Sequence, residues 1–438
     1  MRNNLNKIFN NHNIKIILII LISIFLNITF FFNINKIYSL NENNKKIGIL
    51  KPVVLLVEFP DVKANFEIST PTFYNNILFE KNKNSFYDYF YENSQGKLEI
   101  IGKVYSNPTS NSLWFMAPRE YEFYENNFYG MGKYPNNTQK LVEDIIEYVD
   151  GEINFSDYDG DNDGFVDGII IIYAGSSISN DEFKKIYPHM WMINSIKKDN
   201  KYINKFIVIP EYKFKPGDFT IGPLCHEFGH ILGGIDLYDL DSHKSYIYDN
   251  QISNGLGKWS IMSNGIWGKR NIRGDSPSHF DVWHKILFGW IDPIVIEDRE
   301  IIVNLNPTEL KDGNVIKIVL NKEPEEYLLI ENRQRINFDS DLPKEGVLIY
   351  HIDESILNNC YAYSPFYETP NKSHYKVSIV QKDNFYELER GKNLGDEKDV
   401  FIEGDKFILK QNNKSISYYN KNINVIITIL DKMIYHIK

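Results

Sequence analysis

The stretch Cys225-His226-Glu227-Phe228-Gly229-His230-Ile231-Leu232-Gly233-Gly234-Ile235-Asp236 holds the side chains best suited to chemistry. His226 and His230 are four residues apart. On a helix that spacing puts both imidazoles on one face, where they can reach a single metal ion. Glu227 lies next to His226 and can act as general base on a water at that ion, whose pKa the metal lowers toward about 7. Gly233 can take the positive φ that ends a helix, and the returning chain brings Asp236 round as a third, oxygen ligand. Two imidazoles, one carboxylate and one open position suit catalytic zinc, although other divalent ions tolerate the same set. A chance HExxH in a chain of this composition is expected on the order of 0.015 times. Leu224, Phe228, Ile231 and Leu232 already supply an apolar face, so the histidines are not needed for burial.

Two further segments fit around this one. Lys258-Trp259-Ser260-Ile261-Met262-Ser263-Asn264-Gly265 places Met262 32 residues after His230. A methionine in a Ser/Asn/Gly turn after such a helix reads as a Met-turn lying beneath the metal. Upstream, Asp159, Asp161, Asp163 and Asp167 fall at positions 1, 3, 5 and 9 of a calcium loop, with Gly164 at its sharp turn. The Glu expected at position 12 is absent, since Ile170 stands there, and the loop enters a strand rather than a helix. Four carboxylates this close repel one another without a cation, which favours structural calcium over a solvated acidic turn. An oxyanion would need a donor of its own. Tyr238, Tyr246, Tyr248, His189 and His279 are available for that, each with packing as the blander role. His284 reads as structural, and His243, His351, His374 and His436 carry no spacing signal.

Elements must hold these groups in place. Val53 to Val57, Ile169 to Ile172 and Phe206 to Ile209 are continuous apolar runs expected as buried strands, and Leu98 to Ile101 begins another. Ser85 to Asn93, Leu141 to Val149, Pro223 to Leu232 and Ser276 to Gly289 are expected helices. Beyond about residue 296 strand patterns dominate, at 301–303, 315–320, 327–330, 347–352, 377–380 and 425–429. The expected fold is therefore α/β, a mixed twisted sheet plus an active-site helix over residues 40–295. A β-rich part over 296–438 follows with no flexible linker and packs on it.

The chain has 438 residues, 43% hydrophobic and 24% charged, which is globular composition with material for a large core. Its 48 Lys and Arg against 58 Asp and Glu give −10, which argues against nucleic acid or an anionic membrane surface as a general partner. Cys225 and Cys360 are the only cysteines, so a disulfide scaffold and a Cys-ligated metal cluster are excluded and at most one disulfide can form. Cys225, beside a ligand, reads as a small buried hydrophobe. Arg2, Lys7 and Lys15 precede an apolar run over Ile16 to Phe32, followed by Ile37-Tyr38-Ser39. Residues 1–39 read as a secretory signal peptide, or alternatively as an uncleaved anchor. Either places the remainder outside the cytosol.

With these residues in view, the chain resembles the immune inhibitor A-type secreted zinc metalloproteases, whose HEFGHxLGxxDxYD motif is matched here by His226 to Asp239. Similar blocks include Val57-Glu58-Phe59, Tyr91 to Leu98, the acidic loop, Tyr187 to Trp191, Met262-Ser263, Gly289-Trp290, Tyr327 to Arg333 and Val347 to Asp353. The resemblance covers most of residues 50 to about 405. It implies a metzincin-like zinc endopeptidase, secreted or surface-displayed and often stabilised by calcium, with protein or peptide substrates. His226 and His230 match its zinc ligands, Glu227 its base, Asp236 its third ligand and Met262 its Met-turn. Two departures stand out. Ile235 replaces the usual Pro before Asp236, and the expected first strand starts only a dozen residues after the cleavage point, which leaves little room for a long propeptide. Two rivals remain: a non-catalytic, metal-stabilised surface binding protein, which tends to lose the base or a ligand, and a zinc amidase.

Overall fold

Continuous β-branched runs buried on both sides are the mark of a parallel sheet covered on two faces, and such a sheet forms the centre of the first half of the chain. The computed structural model describes residues 45–177, 185–239, 253–297, 301–359, 375–409, 417–419, 423, 425–431 and 434–437. Residues 1–39, His243, Tyr246, Tyr248, Cys360 and His374 lie outside the described residues.

The strands of this half are β1 (Gly48–Leu50), β2 (Val53–Glu58), β3 (Leu98–Ile100), β4 (Lys103–Tyr105), β5 (Phe115–Met116), β6 (Ile169–Ser176), β7 (His189–Lys198) and β8 (Lys201–Tyr212). Its helices are α1 (Pro71–Phe79), α2 (Phe86–Asn93), α3 (Tyr121–Glu125), α4 (Thr138–Val149), α5 (Ile221–Ile231) and α6 (Val282–Leu287). The main sheet runs β4-β2-β6-β8-β7, with β5 also on β2. All its pairs are parallel except β7 with β8, so the antiparallel strand sits at the edge.

Side-chain alternation divides this sheet into two cores. Val53, Leu55, Ile169, Ile171, Phe206 and Val208 face α4 through Leu141, Val142, Ile145 and Val149. Val54, Leu56, Ile170, Ile172, Ile207 and Ile209 face the opposite way, toward Tyr74 and Leu78 of α1, Phe86 and Phe90 of α2, and Leu224, Cys225 and Phe228 of α5. Each such fully buried side chain contributes roughly 1.5–3 kcal/mol. A capping box fixes the start of α2: the Ser85 side chain accepts from the Asp88 N–H while the Asp88 carboxylate accepts from the Ser85 N–H.

The second half is β: β9 (Ile294–Ile296), β10 (Ile301–Asn304), β11 (Ile316–Asn321), β12 (Glu326–Arg333), β13 (Gly346–Asp353), β14 (Val377–Ile379), β15 (Lys406–Leu409), β16 (Val425–Asp431) and β17 (Ile434–Ile437). They form a five-stranded sheet, β14-β13-β12-β11-β9, and a four-stranded one, β10-β17-β16-β15. Ile316, Ile318, Leu328, Ile330, Val347 and Ile349 face the second sheet through Phe407, Leu409, Val425 and Ile427. Leu329, Leu348, Tyr350, Ile352 and Val377 face the other way and join the core that holds α2 and α5. The order of layers is thus α4, main sheet, α1/α2/α5, five-stranded sheet, four-stranded sheet.

The expected mixed α/β architecture is present, with one clear correction. Ser276 to Gly289 is not a single helix; only Val282–Leu287 is helical. Pro277 disfavours the helical conformation at Ser276, and the segment before Asp281 is extended and threaded through the interior. The Ser278 N–H donates to the Gly265 carbonyl at 2.9 Å, His279 N–H to Asp339 Oδ1 at 2.9 Å and Phe280 N–H to Asn93 Oδ1 at 2.9 Å. The edge strand β7, the terminal strands β15 and β17 and the helix α1 carry no strong periodic signal, and sequence patterning passes over them. Among the described residues no helix is long and apolar enough to cross a membrane.

Candidate metal centre and its cleft

α5 lies pressed against the turn that carries Met262. A Cβ on Gly229 would stand 2.6 Å from Met262 Sδ and 3.0 Å from a Phe280 ring carbon, so only glycine allows this approach. Met262 is fully buried behind the helix, and the Leu237 N–H donates to its carbonyl at 2.8 Å. Pro223 is tolerated because it stands in the first turn. At the far end Gly233 takes φ +99° and turns the chain back.

This turn brings Asp236 to the two histidines. Asp236 Oδ1 lies 3.3 Å from His226 Nε2 and 3.4 Å from His230 Nε2. Ligand atoms about 2.0–2.1 Å from a tetrahedral ion stand about 3.3–3.4 Å apart, so the spacing is that of a zinc ligand set. Both rings are oriented through their other nitrogen. His226 Nδ1 donates to the Ile261 carbonyl and His230 Nδ1 to the Gly234 carbonyl, each at 2.9 Å, which leaves both Nε2 lone pairs aimed inward. Asp236 Oδ1 is buried and makes no hydrogen bond of normal geometry. Two inward imidazole nitrogens and an orphaned carboxylate oxygen fit a divalent cation.

Electrostatics agree. Burial pulls the His230 imidazole down, but the Asp236 carboxylate, Glu227 and the Gly234 carbonyl outweigh it and carry it up to about 9. Burial pushes Asp236 up, yet the two imidazoles hold its carboxyl far below the usual range. The carboxylate recruits positive charge into the cluster, as a cation-binding group does.

Glu227 sits beside His226 with one oxygen fixed: Oε2 accepts from the Met190 N–H of β7 at 2.7 Å. His226, Glu227 and His230 each place a ligand-type atom within 4.8 Å of the others. A cavity of about 590 Å³ opens over them, walled by Tyr187 and Pro188, Ile209 and Pro210, Lys213 and Phe219, Tyr238, and Ile266 and Trp267. Tyr238 lines it with its ring 6.5 Å from that of His226.

The remaining sequence candidates fall elsewhere. His189 is buried, with Nε2 on Thr138 Oγ1 at 2.8 Å and Nδ1 on the Tyr187 carbonyl at 2.7 Å. His279 Nε2 is on Glu92 Oε1 at 2.7 Å. Neither lines the cavity. His284 does more than pack. Its Nδ1 is 2.8 Å from Asp281 Oδ2, and its Nε2 accepts from the Ile235 N–H at 3.1 Å. A proline at 235 would have no N–H to give, so Ile235 ties the Asp236 loop to α6. Sequence reasoning missed this tie, the Met190 amide on Glu227 and the cavity walls. A backbone donor leaves no trace in residue type, and the walls come from four separate segments.

In the acidic loop, Asp159, Asp161 and Asp167 place carboxylate oxygens within 4.8 Å of one another, and Asp163 is outside that group. Asp163 Oδ1 accepts from the Phe165 N–H at 2.8 Å instead. Asp167 Oδ2 accepts from the Lys51 and Gly160 amides, and burial pushes its carboxyl up to about 7. Asp159 Oδ2 pairs with Lys201, while its buried Oδ1 has no hydrogen-bond partner.

Comparison with known proteins gives a consistent picture. Over 298 residues the chain is 23% identical to the pre-pro-metalloprotease PrtV of Vibrio cholerae serotype O1, covering 57% of this chain and 30% of that protein. Over 288 residues it is 26% identical to immune inhibitor A of Bacillus thuringiensis subsp. alesti, covering 54% of this chain and 39% of that protein. The matched region thus spans well under half the length of either relative. The profile of the immune inhibitor A peptidase M6 catalytic domain matches residues 41–289, a stretch that holds the α5 helix, the Asp236 loop and the Met262 turn, and the chain belongs to that family.

Proposed function

We propose that this chain is an exported zinc-dependent endopeptidase that hydrolyses peptide bonds of protein substrates, with His226, His230 and Asp236 as zinc ligands and Glu227 as general base. What carries this reading is the spacing of Asp236 Oδ1 from the two Nε2 atoms, 3.3 and 3.4 Å, beside a carboxylate already oriented by a backbone amide. A zinc ion held there would supply Lewis acidity toward a scissile carbonyl and would lower the pKa of water. Met190 holds Oε2 of Glu227, which leaves Oε1 to take a proton from the attacking water and pass it to the leaving amine. Of the donors considered for the developing oxyanion, Tyr238 is the one that lines the cavity. Met262 supports the floor through Gly229, and the Ile261 carbonyl fixes the His226 tautomer.

The catalytic part is assigned to residues 40–295 and the β-rich support to 296–438. Export rests on the charged and apolar pattern of residues 1–39. Calcium in the acidic loop rests on the grouping of Asp159, Asp161 and Asp167 and on the unpartnered buried oxygen of Asp159. Calcium is then expected to raise the melting temperature by several degrees, and Asp161→Asn to abolish the gain. The decisive experiment is casein cleavage by zinc-loaded protein beside Glu227→Ala. Turnover is expected to fall about 10²–10⁴-fold in the variant with unfolding unchanged, and to vanish on chelation. A folded, zinc-loaded wild type that cleaves neither casein nor peptides sinks the endopeptidase and favours the binding protein or the amidase, which small amides would separate.

A further inference from the structure

The cavity over the metal centre carries an uneven set of charges. Its acidic side chains are Asp218, Glu227 and Asp239, and its basic ones Lys185 and Lys213. Each acid is engaged. Glu227 is the base. Asp218 accepts from the Lys213 N–H at 2.7 Å with one oxygen and from the Phe214 and Lys215 amides at 2.9 and 3.0 Å with the other. Asp239 accepts from the Ser253 N–H. Neither lysine makes an ion pair among the described residues. Lys213 Nζ rests 3.7 Å from the centre of the Trp267 ring, and Arg273, also without an ion pair, stands 5.1 Å from the same ring.

Trp267 therefore holds cationic groups beside the cavity, and Asp218, the carboxylate that acts on Lys213, is engaged with three backbone amides rather than with an ion pair. Part-burial and the nearby Arg273 charge disfavour the charged form of Lys213 and outweigh the opposing pull of Asp218, so an incoming anion would favour that form. The positive end of α5 adds to the same field: its first turn has no acidic residue, Thr220 makes no side-chain cap, and Thr220 and Pro223 line the cavity. The chain as a whole is at −10, so the sign of this wall is not a reflection of overall composition. The apolar walls, Ile209, Phe219 and Ile266, would take the stem of a side chain and leave its tip at Lys213.

We propose that the cleft selects substrates by an acidic side chain close to the scissile bond and that Lys213 is the residue that reads it. This rests on the endopeptidase reading above. Lys213 touches neither the ligands nor Glu227, so its part is selection and its effect should appear in KM more than in kcat.

The test is a set of internally quenched peptides that differ only by Glu, Gln or Lys at single positions on each side of the cleaved bond. With zinc-loaded wild type, kcat/KM is expected to favour Glu over Gln by about fivefold or more at one position, and to lose that margin at high salt. Lys213→Gln should bring the ratio to about one, chiefly by raising KM for the Glu peptide. Lys213→Glu should turn the preference toward Lys. Cleavage of all peptides with no preference for Glu, or a preference that survives Lys213→Gln, overturns the assignment and leaves the endopeptidase standing. No cleavage of any peptide by folded, zinc-loaded protein overturns both.

Discussion

Two clusters of buried ionisable groups invite comparison, and both contain His, Asp and Glu. One is the metal centre on α5. The other lies where the five-stranded sheet meets the catalytic part, around Arg333 of β12. There Arg333 Nε donates to Asp339 Oδ2 at 2.9 Å, and its NH1 to Glu331 Oε1 at 3.2 Å and to the Trp259 carbonyl at 3.1 Å. Glu331 also accepts from Tyr350 and Thr308 at 2.6 and 2.7 Å. Lys285 Nζ donates to His279 Nδ1 at 3.0 Å, and that ring donates onward to Glu92. Burial, with Asp339 close by, pushes Glu309 well above the usual carboxylate range. Most polar atoms of this cluster are paired, although Glu309 Oε2 and Arg333 NH2 are buried without a hydrogen bond of normal geometry. In the candidate metal centre, by contrast, two imidazole nitrogens and one carboxylate oxygen converge at the spacing of ligands around one ion. Residue type alone does not distinguish a site from a strut; the convergence of three ligand-type atoms on one point does.

The largest effect that would break this contrast is in the strut. Arg333→Met leaves Glu331 and Asp339 buried without their cation, and should lower unfolding free energy by about 3–5 kcal/mol in urea titration. Glu227→Gln, in the other cluster, should move the midpoint by no more than about 0.5 kcal/mol while removing activity. An Arg333→Met protein as stable as wild type would show that the second cluster holds nothing together. Because Arg333 also grips the Trp259 carbonyl, three residues before Met262, zinc affinity is expected to fall with stability in this variant.

A smaller effect sharpens the comparison at the metal centre itself. His284 binds no metal, yet it holds the Ile235 N–H one residue before Asp236 and is itself held by Asp281. His284→Ala should weaken zinc about 10–100-fold in competition with a chelator, with the protein still folded. Unchanged affinity would mean that the Gly233 turn alone places Asp236.

How far the sequence alone reaches can be judged from these same residues. The i, i+4 histidines, the glycine that ends α5 and the apolar runs β2, β6 and β8 are local patterns, and local geometry follows from them. Ser276 to Gly289 misleads because its apolar residues look helical, although an extended strap can bury them just as well against α2 and Phe338. The edge strand β7 alternates poorly, since its inner end packs against α5 and its outer end meets solvent. Lys285, Arg333 and Glu309 give no warning that they are buried, because their partners lie in distant segments. Ile235 looks like a mere departure until its N–H is found on His284.

The smallest predicted effect concerns how the β-rich half grips the floor of the site, and pH should reveal it. Trp259 Nε1 donates to Asp399 Oδ2 at 2.9 Å, and burial pushes Asp399 up to about 6. Burial likewise pushes Glu389 up to about 7, against ordinary carboxylate values near 4. A raised folded-state value means that the folded protein binds protons more tightly than the unfolded chain. The stability this contributes is fully present below about pH 4 and is lost as pH rises through about 6 to 7. These two groups therefore favour the folded state at pH 5.5 over pH 8, by an amount on the order of a few kcal/mol. Glu389→Gln keeps the shape without the charge, so its melting temperature should fall less than that of wild type between those values. If the two curves run parallel, Glu389 is not the group whose proton the folded protein holds, and the pH dependence at this contact falls to Asp399.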